Sequence, residues 1–223
     1  DQENTGTKAA ISSENTKLIN WTKDDAITVI DGEGKNVKFT LTDGAGTTTG
    51  KFKSEEASQA TSYTALYPYQ KDVTFHKAFN ITTLKGVVLK SEQKAVSGSF
   101  DPEAALMMGA TGDGSTNLSF KNIVGFVKLT PTVSCKKITL TGTSSAALAG
   151  TADITVNKEG LPEAKVQDKA SSSVSISGDI EAGKTYYIAI FPAAMESFSL
   201  TFTASDGQNT YKSSDKPLTI KRN

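Results

Sequence analysis

The sequence predicts an all-β protein, and three observations carry that reading. Apolar and polar residues alternate with a period of two along much of the chain, the pattern of strands with one buried face. Glycine- and aspartate-rich turns separate these runs. A short phrase is also used twice: Tyr63-Thr64-Ala65-Leu66-Tyr67-Pro68 recurs as Tyr187-Ile188-Ala189-Ile190-Phe191-Pro192. Each copy reads as a strand ended by proline, which has no N–H to give to a ladder. Two copies so far apart predict two related β-sandwich domains in tandem.

Taken in order, Trp21 opens the first alternating strand, which runs to Ile30. Asp31-Gly32-Glu33-Gly34 then reads as a hairpin turn leading into a strand with Val37, Phe39 and Leu41 on one face. Tyr63, Ala65, Tyr67 and Tyr69 share one side of a sheet, the core side, with hydroxyls reaching its rim. Asp101 to Met108 is the best helical candidate, with Asp as N-cap and Pro102 at the first position. Beyond Gly109–Thr116, Ile138 and Leu140 alternate with Lys and Thr, and Val174 and Ile176 sit between serines. Phe198, Leu200, Phe202 and Ala204 form a further strand, which Ser205-Asp206-Gly207-Gln208-Asn209 turns back into Thr210-Tyr211. Leu218 and Ile220 alternate in a last short strand.

The small, polar stretch Gly109–Thr116 marks the expected domain boundary. It divides the chain into residues 1–112, an N-terminal β-sandwich, and residues 113–223, a C-terminal one. Each half is about the size of an immunoglobulin- or transthyretin-like sandwich.

Composition excludes several functions. Lys plus Arg and Asp plus Glu both total 24 in 223 residues, so the chain lacks the one-signed charge that nucleic acid binding needs. Its apolar runs are far too short to span a bilayer as helices. The chain opens at Asp1 without Met or a signal-like apolar stretch and reads as a mature or trimmed product. Cys135 is the single cysteine, which allows no internal disulfide and no cysteine-based metal site; it reads as a buried strand residue. His76, the single histidine, reads as a strand or turn residue.

Three acidic, glycine-containing turns have the composition of calcium loops: Asp31 to Asn36, Asp113 to Asn117 and Asp206 to Asn209. An EF-hand needs a carboxylate at its twelfth position, where these place Thr42, Val124 and Pro217, so they read as turns. The adjacent pairs Asp24-Asp25 and Glu55-Glu56 point to opposite faces on a strand and read as solvated charges. No nucleophile elbow, phosphate loop or Rossmann fingerprint is present. Trp21, Tyr67 and Tyr69 as a sugar platform compete with a core role, which the strand pattern favours. No catalytic residue, cofactor or metal is expected.

Seven segments, in this order, resemble the fimbrillin-like (Mfa-like/FimA-superfamily) pilins and adhesins of Gram-negative anaerobes. They are Trp21 to Val29, Tyr63 to Tyr69, Leu106-Met107-Met108-Gly109, Phe120 to Gly125, Lys137 to Gly142, Tyr186 to Pro192, and Lys216 to Ile220. The resemblance implies two transthyretin-like, Greek-key β-sandwich domains and a non-enzymatic surface protein: a pilus stalk, tip or accessory subunit. It further implies export to the outer membrane as a lipoprotein, with the acylated cysteine upstream of Asp1. Partners would be other pilus subunits joined by β-strand exchange, and a host protein or glycan receptor. Ala9-Ala10-Ile11-Ser12, with Leu18-Ile19 close behind, is the expected first strand. The oral pilins of the family rely on an arginine-specific protease near the N-terminus, whereas here no arginine precedes Arg222. A surface glycan-binding module is the alternative.

Overall fold

The computed structural model describes residues 10–11 and 19–222, apart from 57–59, 79–80, 113, 144–145 and 157–159. Its strands are numbered in chain order. The first nine are β1 (Ala10–Ile11), β2 (Ile19–Asn20), β3 (Ala26–Ile30), β4 (Asn36–Asp43), β5 (Lys51–Lys53), β6 (Thr64–Tyr67), β7 (Thr74–Ala78), β8 (Ile81–Leu89) and β9 (Glu92–Lys94). Next come β10 (Met107–Ala110), β11 (Lys121–Asn122), β12 (Gly125–Leu129), β13 (Cys135–Gly142), β14 (Ala149–Val156) and β15 (Pro162–Ser171). The last are β16 (Ser173–Ile180), β17 (Tyr186–Ile190), β18 (Ala193–Met195), β19 (Phe198–Thr203), β20 (Asn209–Ser214) and β21 (Leu218–Ile220). The protein is all-β.

Three larger sheets form. One has six strands in the order β11-β10-β6-β3-β4-β5, one has four in the order β15-β14-β8-β7, and one has five in the order β20-β19-β13-β16-β9. The pairs β1-β2, β12-β17 and β18-β21 complete the set. Pairing is antiparallel except between β16 and β9. β3 is buried at all five positions, which explains its near-continuous apolar run Ala-Ile-Thr-Val-Ile. β13 instead alternates, sending Ile138 and Leu140 into the core and Thr139 and Thr141 the other way; β16 adds Val174 and Ile176 to the core, with Ser175 between them also buried. Both expected hairpins form, β3 to β4 and β19 to β20. In each turn the aspartate takes a structural part: Asp31 accepts the amides of Glu33 and Lys35, and Asp206 accepts that of Gln208.

The two copies of the repeated phrase become β6 and β17, buried strands that stop before Pro68 and Pro192. The sheets do not divide at 112/113. β8 pairs with β14, β7 joins the same sheet through β8, and β9 pairs with β16, so residues from Thr83 to Lys94 form ladders with strands of the second half. The glycine-rich stretch expected as the boundary also begins inside β10, where Gly109 and Ala110 pair with Ala65 and Thr64. One apolar core runs through this arrangement, taking Ile30, Leu66 and Met108 from the six-stranded sheet together with Leu84, Ile138 and Ile188.

Three local expectations change. The helix over 101–108 contracts to a single 3-10 turn, Pro102–Ala104, with Asp101 accepting the Glu103 amide; Met107 and Met108 are strand residues. Trp21 precedes the first long strand and enters the core from a turn. The expected strand 9–12 is described only at Ala10–Ile11, which pairs with β2; Ala9, Ser12 and Leu18 lie outside the described residues.

Two glutamines act as single-residue strand partners. The Gln93 amide donates to the Ala189 carbonyl at 2.7 Å and accepts the Ala189 amide at 3.0 Å. Gln70 does the same for Val88, at 2.9 and 2.8 Å. Gly125 lets the end of the chain cross β12 at close range, since a Cβ there would lie 2.2 Å from the Lys221 carbonyl.

Candidate functional site

The six-stranded sheet buries its two faces differently. Register puts Ile27 opposite Phe39, Val29 opposite Ala65, Leu41 opposite Phe52 and Tyr67 opposite Met107, so these side chains share one face. Ile30, Leu66 and Met108 point the other way, into the large core. The first face carries its own apolar cluster around Trp21. The indole meets Phe52, Tyr67 and Phe120 edge-on, with ring centroids at 5.0, 5.3 and 5.5 Å. Such T-shaped contacts suit the ring quadrupoles. Trp21 is 7% exposed and Tyr67 fully buried, so the competing sugar platform does not form.

Among the described residues, this face is only partly roofed. A groove of about 1110 Å³ crosses it, floored by Ile27, Val29, Phe39, Phe52 and Met107. The residues from Thr48 to Ser54 border one side, and the stretch Thr116–Asn122 borders the other. Leu118, Ser119 and Phe120 lie outside any strand, and no backbone hydrogen bond joins them to another described residue beyond the sheet ladders. They nonetheless lie close over β10: a Cβ on Gly109 would come within 3.1 Å of the Ser119 carbonyl. The apolar floor and the strand-free border segment Leu118–Phe120 thus lie side by side on this face. The five floor residues are apolar, whereas Lys51, Lys53, Glu56, Lys121 and Arg222 stand around them.

A buried carboxylate anchors one end of the cluster. Asp25 is fully buried, accepting the Tyr67 hydroxyl at 3.0 Å and the Thr22 amide at 2.7 Å. The adjacent pair Asp24-Asp25 predicts a solvated charge; the turn from Thr22 to Asp25 instead folds Asp25 inward. Asp24 takes the strain of that turn at φ 68°. Burial, and then the Asp25 carboxylate, hold the Tyr67 hydroxyl well above its ordinary value. An unfolded tyrosine releases its proton near pH ~10, whereas folded Tyr67 keeps it. Its contribution to stability is therefore intact below pH ~10 and is lost as pH rises beyond it. Urea midpoints between pH 8 and 11 should fall more steeply for the wild type than for Tyr67→Phe. Parallel curves would mean that Tyr67 ionises in the fold as freely as in the unfolded chain.

The other singled-out residues lie apart. Cys135 is buried at the start of β13, and that burial raises its thiol pKa, which keeps it unreactive. His76 is exposed on the edge strand β7, opposite Thr83. Among the described residues, no group of three His, Cys, Asp or Glu side chains is placed to hold a metal ion. Sequence reading missed the groove as a site. Its signal was present in the alternation of Leu118 and Phe120 within a segment too polar to read as a core strand.

No family profile matches the chain, and no curated protein does. Among solved structures, the chain is similar to the crystal structure of a "putative cell adhesion protein" from Bacteroides uniformis, at 16% identity over 95% of this chain and 85% of that one. The TM-score of 0.54 makes this a likeness of fold.

Proposed function

We propose that this chain is a non-enzymatic cell-surface adhesion protein, a fimbrial stalk, tip or accessory subunit, whose groove accepts a β-strand from a neighbouring subunit. The observation that carries the proposal is the apolar face, only partly roofed among the described residues and bordered by Leu118–Phe120, which lie outside any strand. The fold likeness to a protein described as adhesive supports the same reading, as does the resemblance of the seven segments to the fimbrillin-like family. On this proposal the protein is exported, held at the outer membrane through a lipid, and joined to other pilus subunits.

The energetics are adequate. Four or five apolar side chains seated at ~1.5–3 kcal/mol each give roughly 6–15 kcal/mol gross. Ordering a free strand offsets part of this at ~1–2 kcal/mol per residue, so lasting assembly also needs the backbone hydrogen bonds along the groove border. Strand-exchanged subunits separate slowly. Native surface material run on denaturing gels without boiling should give a ladder that collapses to monomer on heating. Monomer alone before heating would overturn the assembly reading.

A further inference from the structure

A second surface stands apart from the groove, on the outer face of the five-stranded sheet. Register places Thr141, Ser199 and Ser213 in one cross-strand row, Thr139, Thr201 and Tyr211 in the next, and Lys137, Thr203 and Asn209 in a third. β16 extends the first and third rows with Ser173 and Ser177, while Ser175 beside Thr139 is buried. The residues between them along the strands, such as Ile138 and Leu140, point into the core. The outward set is therefore hydroxyl-rich and carries no aliphatic side chain. Strands ~4.8 Å apart and alternate residues ~6.6–6.8 Å apart make it a regular array of donors and acceptors. Tyr211 stands at its edge, 66% exposed, among the few large apolar groups that the fold leaves in water. The charge of Lys137 is met by Glu92 at 3.4 Å, and Lys94 sits at the far edge on β9.

Three properties select the occupant. Four strands by about five residues give an area of roughly 300 Å², well under the ~800 Å² per partner of a stable protein interface. The rows also lack the buried apolar anchors on which protein interfaces depend, so a second copy is a poor fit. Near-neutral charge gives no attraction to a polyanion. Hydroxyls that both donate and accept, beside one exposed aromatic ring, match a sugar chain, whose own hydroxyls do likewise and whose ring faces stack on tyrosine. We propose that the outer face formed by β13, β16, β19 and β20 docks an uncharged oligosaccharide, with Tyr211 as the stacking residue and Thr139 and Thr201 as hydroxyl partners. This goes beyond the assembly role and does not depend on the groove.

The full chain should be tested on beads bearing neutral hexose and N-acetylhexosamine oligosaccharides, beside sialylated and sulfated sets, since dense display makes weak single-site binding measurable. Retention on a neutral set is expected, with a loss of about ten-fold in Tyr211→Ala, a shift of ~1.4 kcal/mol. Tyr211→Phe keeps the ring and should retain binding. The double variant Thr139→Val/Thr201→Val should lose binding while keeping the strand shape. Tyr211→Ala should leave the unfolding midpoint unchanged, because the ring is exposed. The proposal is overturned if no neutral glycan is retained, if Tyr211→Ala binds as the wild type does, or if sulfated chains bind better than neutral ones. A dimer in sedimentation that Tyr211→Ala dissociates would overturn it in favour of a second copy.

Discussion

Replacing Gln93 with leucine is expected to cost roughly 2–6 kcal/mol, although leucine is apolar and of similar length. Ala189 is fully buried on β17, and its backbone amide and carbonyl face away from the partner strand β12 toward the Gln93 side chain. Leucine fills the space and leaves both groups without a partner at a site that water does not reach, each at ~1–3 kcal/mol. Gln70→Leu is the matched control. It removes the same pair of hydrogen bonds from Val88, which is 40% exposed, so water replaces the amide and the cost stays below ~1 kcal/mol. Urea unfolding of the two variants checks the contrast. Equal shifts would mean that burial of Ala189 is not what makes Gln93 matter.

Trp21→Ala should destabilise the fold by ~3–5 kcal/mol, the range for truncating a buried large aromatic. The indole is the hub where Phe52, Tyr67 and Phe120 converge, and it holds the groove floor beside it. Far-UV circular dichroism is the suitable readout, because this is the single tryptophan of the chain. Trp21→Phe should recover part of the loss. If Trp21→Ala instead left stability intact and removed sugar binding, the placement of Trp21 in the core would fail.

Much of the secondary structure was legible because its cause is local. Thr139 between Ile138 and Leu140, or Ser175 between Val174 and Ile176, states the strand and its two faces at once. The hairpin turns at Asp31–Gly34 and Asp206–Asn209 were legible for the same reason: their aspartates bond amides two to four residues away. Asp25 was not legible. A carboxylate next to Asp24 reads as solvated, and the Tyr67 hydroxyl, brought from a distant strand, joins the local Thr22 amide in making its burial tolerable. The helix expected at Asp101 was misread because its start was well formed. Its cap and proline are both present, yet pairing of Met107 and Met108 with β6 pulls the next residues into a strand.

By itself, the sequence determined that this is an all-β chain and located those strands whose two faces differ, such as β4, β13 and β19, since alternation and turn chemistry act over a few residues. Which strands meet was decided only in three dimensions. β8 and β9 join the second half of the chain because long-range ladders and a shared core, not proximity along the backbone, satisfy their peptide groups. The groove and the hydroxyl-bearing face arise in the same way, each assembled from strands that no single stretch of sequence holds together.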